Sequence, residues 1–168
     1  GVVFSNIVAE TVQQPPNWWG SGEAIWFSSY PRTIGEPVGT ISNVTVVNMV
    51  ARSENSVFIS GRTPGNTVLD VALRNVSITV WKVSNYTHPD HDYRPTSIHP
   101  DVIPAPTDGI FVERASGVVF DHVAVAFNLS STVPHPFWTY RCFNTSQAGF
   151  PVTCAAACTC SNVTLPAA

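Results

Sequence analysis

The stretch Gly117–Val125 reads GVVFDHVAV, and Gly1–Ala9 reads GVVFSNIVA. Two weaker copies stand between them, TISNVTVVN over Thr40–Asn48 and DVALRNVSI over Asp70–Ile78. In each, a polar residue, usually Asn, precedes a β-branched one, and apolar residues flank it at alternate positions. That two-residue period belongs to a strand with one buried face, and nothing in the unit carries a helical period.

A second, shorter strand is predicted beside these copies, at Gly22–Ser29 (GEAIWFSS), Ser56–Gly61 (SVFISG) and Gly109–Arg114 (GIFVER), the last lying ahead of the fourth copy. Aligning Asn6, Asn43, Asn75 and His122 gives separations of 37, 32 and 47 residues. A constant order with unequal spacing fits a solenoid whose repeats are single turns and whose loops vary in length. The fold class expected is therefore all-β, a stack of parallel strands over residues 1–127. A sandwich of short strands is the alternative, because Gly, Pro and β-branched alternation fits it too. Residues 128–168 are expected to form a Pro-rich, Cys-containing C-terminal cap. Because the repeat is already running at Gly1, the first hydrophobic layer is expected to be open. Its expected partners are missing N-terminal coils or another chain covering the first coil.

The 168 residues suffice for one sizeable core, and 44% of them are hydrophobic. Only 11% are charged, so the polar surface must come mainly from Ser, Thr and Asn. Eight basic residues scattered along a chain of net charge -3 form no basic patch, which argues against nucleic acid and anionic membrane as partners. No run approaches the length of a membrane span. No signal peptide is legible at the N-terminus, and this says nothing about export.

Six sequons begin at Asn43, Asn75, Asn85, Asn128, Asn144 and Asn162. Chance predicts roughly two at this content of Asn, Ser and Thr, and the excess favours a secreted glycoprotein of the extracellular space or cell wall. Strand patterning of Asn, Val and Thr also makes sequons, and Asn43 and Asn75 are expected to be partly buried. Asn85, Asn128 and Asn144 fall in apparent loops and are the better acceptors. Cys142, Cys154, Cys158 and Cys160 all lie near the C-terminus and read as two disulfides with three possible pairings. A zinc site is the competing reading, disfavoured by the single residue between Cys158 and Cys160.

Candidate ligand contacts concentrate in loops. Pro15 and Pro16 lead into Trp18 and Trp19, whose aromatic faces suit apolar sugar faces, with Asn17, Glu23 and Arg32 as polar partners. Packing of those indoles over the strands is the competing reading. Arg62 repeats the position of Arg32 approximately, and arginines at equivalent strand ends favour a carboxylate ligand. Arg52 and Glu54 read as a solvated pair. The irregular stretch Trp81–Thr107 holds Tyr93 and Arg94 as further candidate contacts. His88, His91 and Asp92 lack the regular placement of a metal site, so no metal and no cofactor is expected. A short helix around Thr153–Ala157 is conceivable.

On these residues the sequence resembles the pectin-degrading glycoside hydrolase family 28, the polygalacturonase-like enzymes, and especially their plant and bacterial exo-acting branch. The likeness runs over residues 1–127 and rests on GVVFSNI, WWGSGEAIWFSS with Arg32, GTISNVTVVNM, ENSVFISG and the final GVVFDHV. It implies the C-terminal half of a right-handed single-stranded parallel β-helix, incomplete at the N-terminus. It also implies a secreted hydrolase that cleaves an acidic polysaccharide or oligosaccharide with inversion, using aspartates around an activated water. The family's signatures Asp-Asp, Gly-His-Gly and Arg-Ile-Lys are absent from the chain. Its Asn-Thr-Asp signature is matched only by Thr107-Asp108-Gly109-Ile110, with Pro106 where Asn is expected, and this reads as a turn leading into a strand. No catalytic residue is therefore assigned, and the chain is expected to be inactive by itself. The substrate-binding residues expected are Trp18, Trp19, Glu23, Arg32, Arg62, Tyr93 and Arg94. A non-catalytic carbohydrate-binding or structural β-helix piece is the alternative.

Overall fold

The computed structural model describes residues 1–14, 21–31, 36–61, 67–86, 90–91, 103–104, 107–128, 143–145, 152–156 and 159–163. Among them every regular element is a strand. Four long strands, β1 (Val2–Thr11), β3 (Ile41–Ser53), β5 (Val68–Val80) and β10 (Val118–Asn128), lie side by side in that order. The two-residue β9 (Ala115–Ser116) leads into β10 and pairs with the start of β5. The short strands β2 (Glu23–Ser28), β4 (Asn55–Ser60) and β8 (Ile110–Glu113) make a second sheet, extended by β11 (Phe143–Thr145). All pairings in both sheets are parallel. Within the long loop, β6 (Asp90–His91) and β7 (Ile103–Pro104) form a two-residue antiparallel ladder.

The long strands are bent by single residues of positive φ. Opposite one another stand Asn43 (55°), Asp70 (52°) and Gly117 (67°), and, five residues further on, Asn6 (57°), Asn48 (57°), Asn75 (51°) and His122 (54°). Asn and Asp tolerate the left-handed region better than other residues with a Cβ, which explains their recurrence there. Gly117 has a second reason, since a Cβ at that site would collide with the Asp70 carboxylate. Each corner resets the alternation of buried and exposed side chains. In β5, Val71 and Leu73 are buried before the corner and Val76, Ile78 and Val80 after it, with Arg74 and Asn75 both facing out between them. A straight strand of this sequence would turn half of those apolar residues to solvent.

The second row of corners is tied together through its side chains. Asn75 Nδ2 donates to Asn48 Oδ1 at 2.8 Å, and Asn48 Nδ2 donates to Asn6 Oδ1 at 3.2 Å. The register therefore corrects the sequence alignment. Asn48, not Asn43, stands level with Asn6 and Asn75, and the separations are 42, 27 and 47 residues. Asn before a β-branched residue, which guided the alignment, marks the first corner of β3 at Asn43-Val44, and the second corner lies five residues later at Asn48-Met49. Asn43 and Asn75 are exposed rather than partly buried, as corner geometry requires.

Both sheets contribute to one core: Val46, Leu73, Val76, Ile78 and Phe120 from the long strands meet Val57, Ile59, Ile110 and Val112 from the short ones. Burial fades toward β1. Leu73 and Phe120 are fully buried and Val46 is 3% exposed, while Phe4, level with them in the outermost strand, is 48% exposed. Beyond β10, β12 (Val152–Ala156) and β13 (Thr159–Val163) continue the long-strand sheet, so Thr153–Ala156 is strand where a short helix was conceivable. Asn144 lies in β11 and Asn128 ends β10, so neither is the loop residue expected; Asn85 is exposed in a bend.

If the corners hold the fold, Asn75→Val costs about 2 kcal/mol, from a β-branched residue in the left-handed region and the loss of an amide bond. Asn75→Gly relieves the backbone part and costs less than half of that. Urea denaturation checks both, and equal losses for the two variants would remove the backbone argument.

Candidate ligand-binding face

The outer face of the second sheet is built from residues aligned across β2, β4 and β8. Trp26, Phe58 and Phe111 stand level with one another. The Phe58 and Phe111 rings stack at 5.0 Å with 7° between their planes. Both phenylalanines are buried, so the row is a packed layer under the surface and not a platform for a sugar ring. At the C-terminal ends of the strands the next level is polar. Ser28, Ser60 and Glu113 align there; the Ser60 hydroxyl meets the Tyr30 hydroxyl and donates to Glu113 Oε2 at 3.3 Å. Arg114 follows at once and pairs with Glu113 at 2.6 Å, its side chain 27% exposed. Gly61 lets the strands approach here, because a Cβ on it would strike the Arg114 carbonyl.

At the opposite ends, where the short strands begin, Glu23 pairs with Asn55, and the register carries on to Asp108. Glu23 accepts the Ser21 N–H at 2.6 Å, Asn55 donates to the Ser21 carbonyl at 2.5 Å, and the Thr107 hydroxyl donates to Asn55 Oδ1. Glu23, Asn55, Thr107, Asp108 and the two phenylalanines line a cavity of about 10 Å³, room for no more than a water molecule. Glu23, expected as a substrate contact, is thus buried and bonded within its own turn. Thr107 and Asp108 lead into β8, as a turn before a strand should.

A buried ion pair anchors the loops that reach this sheet. Glu54, between β3 and β4, accepts Lys82 Nζ at 2.8 Å, the Gln13 N–H at 2.9 Å, the Val83 N–H at 2.7 Å, and both the backbone and hydroxyl of Ser84. Both charged side chains are wholly buried. This corrects the solvated Arg52–Glu54 pair: Arg52 instead lies over the Trp81 ring at 3.6 Å from its centroid. Lys82 is the only lysine of the chain, and no periodic signal in the sequence distinguishes it. Burial alone raises the Glu54 pKa, but the hydrogen bonds from Lys82, Ser84 and Val83 outweigh it and hold the carboxyl below its ordinary value. Burial lowers the Lys82 pKa, and the bond and charge of Glu54 only partly oppose it, since the ammonium has fewer partners than the carboxylate. Gln13 and Ser84 are thereby pinned at one end of the long strands, close in sequence to Trp18 and Trp19 and to Tyr93 and Arg94.

Trp18, Trp19, Arg32, Arg62, Tyr93, Arg94, Cys142 and Cys158, together with Asn17, His88, Asp92 and Asn162's sequon threonine, lie outside the described residues. Cys154 falls on β12 and Cys160 on β13. Among the described residues no group of three His, Cys, Asp or Glu is placed to hold a metal ion, and no helix is long and apolar enough to cross a membrane. Arg114 is the residue that sequence reading passed over. Its signal was its position directly after a short strand, the neighbourhood that singled out Arg32 and Arg62. Comparison with protein-family models, curated proteins and solved structures finds no match.

Lys82→Met leaves the Glu54 charge buried without its counter-ion and is expected to cost about 3–5 kcal/mol. Lys82→Met combined with Glu54→Leu recovers part of that loss, and a double-mutant cycle in urea measures the coupling. Because the folded carboxyl sits below the unfolded value of about 4.5, its contribution is complete above that pH and is lost as the pH falls toward the lowered folded value. Glu54→Gln flattens this acid limb. An unchanged acid limb in that variant would show that the carboxylate contributes nothing there.

Proposed function

We propose that each long strand and the short strand after it form one coil of a right-handed parallel β-helix, and that the chain is the scaffold and substrate-cleft portion of a secreted, polygalacturonase-like glycoside hydrolase acting on pectin-like polygalacturonides. The parallel registers and aligned corners support the coil reading. The observation that carries the ligand class is the alignment of the ends of β2, β4 and β8. Arginine follows each of them in the chain, as Arg32, Arg62 and Arg114. A guanidinium presents paired donors to a carboxylate, and a polygalacturonide repeats one carboxylate per sugar. Trp18, Trp19, Tyr93 and Arg94 are the further contacts proposed for the same ligand. The cell wall is the expected location, with Asn85, exposed in a bend, as an acceptor for a glycan.

One set of contacts favours the alternative, a non-catalytic carbohydrate-binding or structural piece. Four carboxylates are engaged: Glu23 by Ser21, Glu54 by Lys82, Glu113 by Arg114 and Asp121 by Arg74 and His122. General acid and base chemistry needs a carboxylate turned to the substrate. Neither reading assigns a catalytic residue to this chain.

Calorimetry with oligogalacturonate checks the ligand. Replacing Arg32, Arg62 and Arg94 together by Ala is expected to weaken binding by about tenfold or more and to reduce its salt dependence. Retention of full affinity by the triple variant would sink the carboxylate reading. A reducing-sugar assay on polygalacturonate is expected to detect no turnover by the 168-residue chain, and turnover would overturn the non-catalytic assignment.

A further inference from the structure

Among the described residues, seven that carry a Cβ have positive φ. Four are Asn, one is Asp and one is His122, all residue types enriched in the left-handed region. The seventh is Arg114, at 46°. It stands apart in place as well: the other six lie within the long strands, whereas Arg114 is the single residue between β8 and β9. A long side chain gains nothing local from this backbone, and Asn or Gly would make the same turn with less strain. Strain of this kind persists where the side chain is needed for something else.

The Arg114 side chain is fixed on one side and open on the other. Its Nη1 meets Glu113 Oε1 at 2.6 Å, and the Glu113 side chain is only 11% exposed. Glu113 is held in turn through Oε2, which accepts the Ser60 hydroxyl at 3.3 Å, and Ser60 is fully buried. The anchor of the pair therefore lies inside the short-strand sheet. Arg114 Nε is buried without a partner, yet the side chain as a whole is 27% exposed. A guanidinium carries several N–H donors, so tying Nη1 to Glu113 leaves donors for a ligand on the exposed side.

We propose that the strain at Arg114 is kept for binding: Arg114 contacts a carboxylate of the ligand, and Glu113, seated on Ser60, is the positioning residue that aims it. The choice of a carboxylate rests on the polygalacturonide reading; the strain and the Glu113 contact stand without it. A relaxed turn residue would hold the turn equally well but could not present paired donors. Holding the guanidinium through Nη1 also leaves less side-chain freedom to lose when the ligand binds. Stability and binding must then respond differently to the same substitution, which a purely structural arginine would not show.

Urea denaturation and calorimetry with oligogalacturonate, both on the 168-residue chain, separate the two responses. Arg114→Asn relaxes the backbone and is expected to unfold at a urea midpoint no lower than the wild type, while binding weakens about fivefold or more. Arg114→Lys keeps the charge and the backbone strain but not the fork; its stability is expected to match the wild type and its affinity to fall about threefold. Should Arg114→Asn fail to fold, the Lys variant decides, because its affinity must still fall. Glu113→Ala is expected to weaken binding, and Glu113→Gln, which keeps a carbonyl acceptor for Arg114, to restore it. A stability loss with full affinity in Arg114→Asn overturns the proposal, and equal affinity losses in the two Glu113 variants overturn the positioning role. A wild-type chain that binds no oligogalacturonate removes the polygalacturonide reading and this proposal together. A wild type that binds, beside an Arg114→Asn chain that binds equally well, removes the proposal alone.

Discussion

The left-handed corner is the constraint on which the architecture depends. An extended chain alternates its side chains strictly, so a strand that wraps a core must interrupt that alternation or expose half its apolar residues. One residue of positive φ does this at the cost of one outward position, and Asn, Asp, Gly and His122 supply it here. Stacking the corners places like beside like, and the Asn side chains then satisfy one another in a row. The core follows from that placement. Val71 and Leu73 face inward on one side of the bend and Val76 and Ile78 on the other, and residues from both sheets share one apolar interior.

Charge is used sparingly in this fold, and where it is buried it is matched. Lys82 and Glu54 join the segments that follow β1, β3 and β5, so a single network ties the chain together just beyond each of those strands. A buried pair of this kind contributes less to net stability than its short distances suggest, because both ions lose water. Its consequence is positional: it holds Gln13 beside Ser84, although 71 residues separate them, through a shared carboxylate. The short-strand sheet divides its labour by level. Its aromatic row is packed away, and its polar row at the strand ends, with Tyr30, Glu113 and Arg114, is partly exposed.

What the sequence determined by itself was strand character and its order. The two-residue period of GVVFDHVAV and its three copies is a backbone property, legible because one face must be apolar. The short strands followed from the same rule. What only the tertiary structure decided was register and partnership. Asn43 precedes a β-branched residue and Asn48 does not, yet pairing with β1 and β5 sets Asn48 level with Asn6. Likewise Glu54 reads locally as the neighbour of Arg52. Its true partner, Lys82, is 28 residues away, and the reason is physical: a buried charge is matched by whatever the fold brings within reach, and sequence distance does not enter that balance.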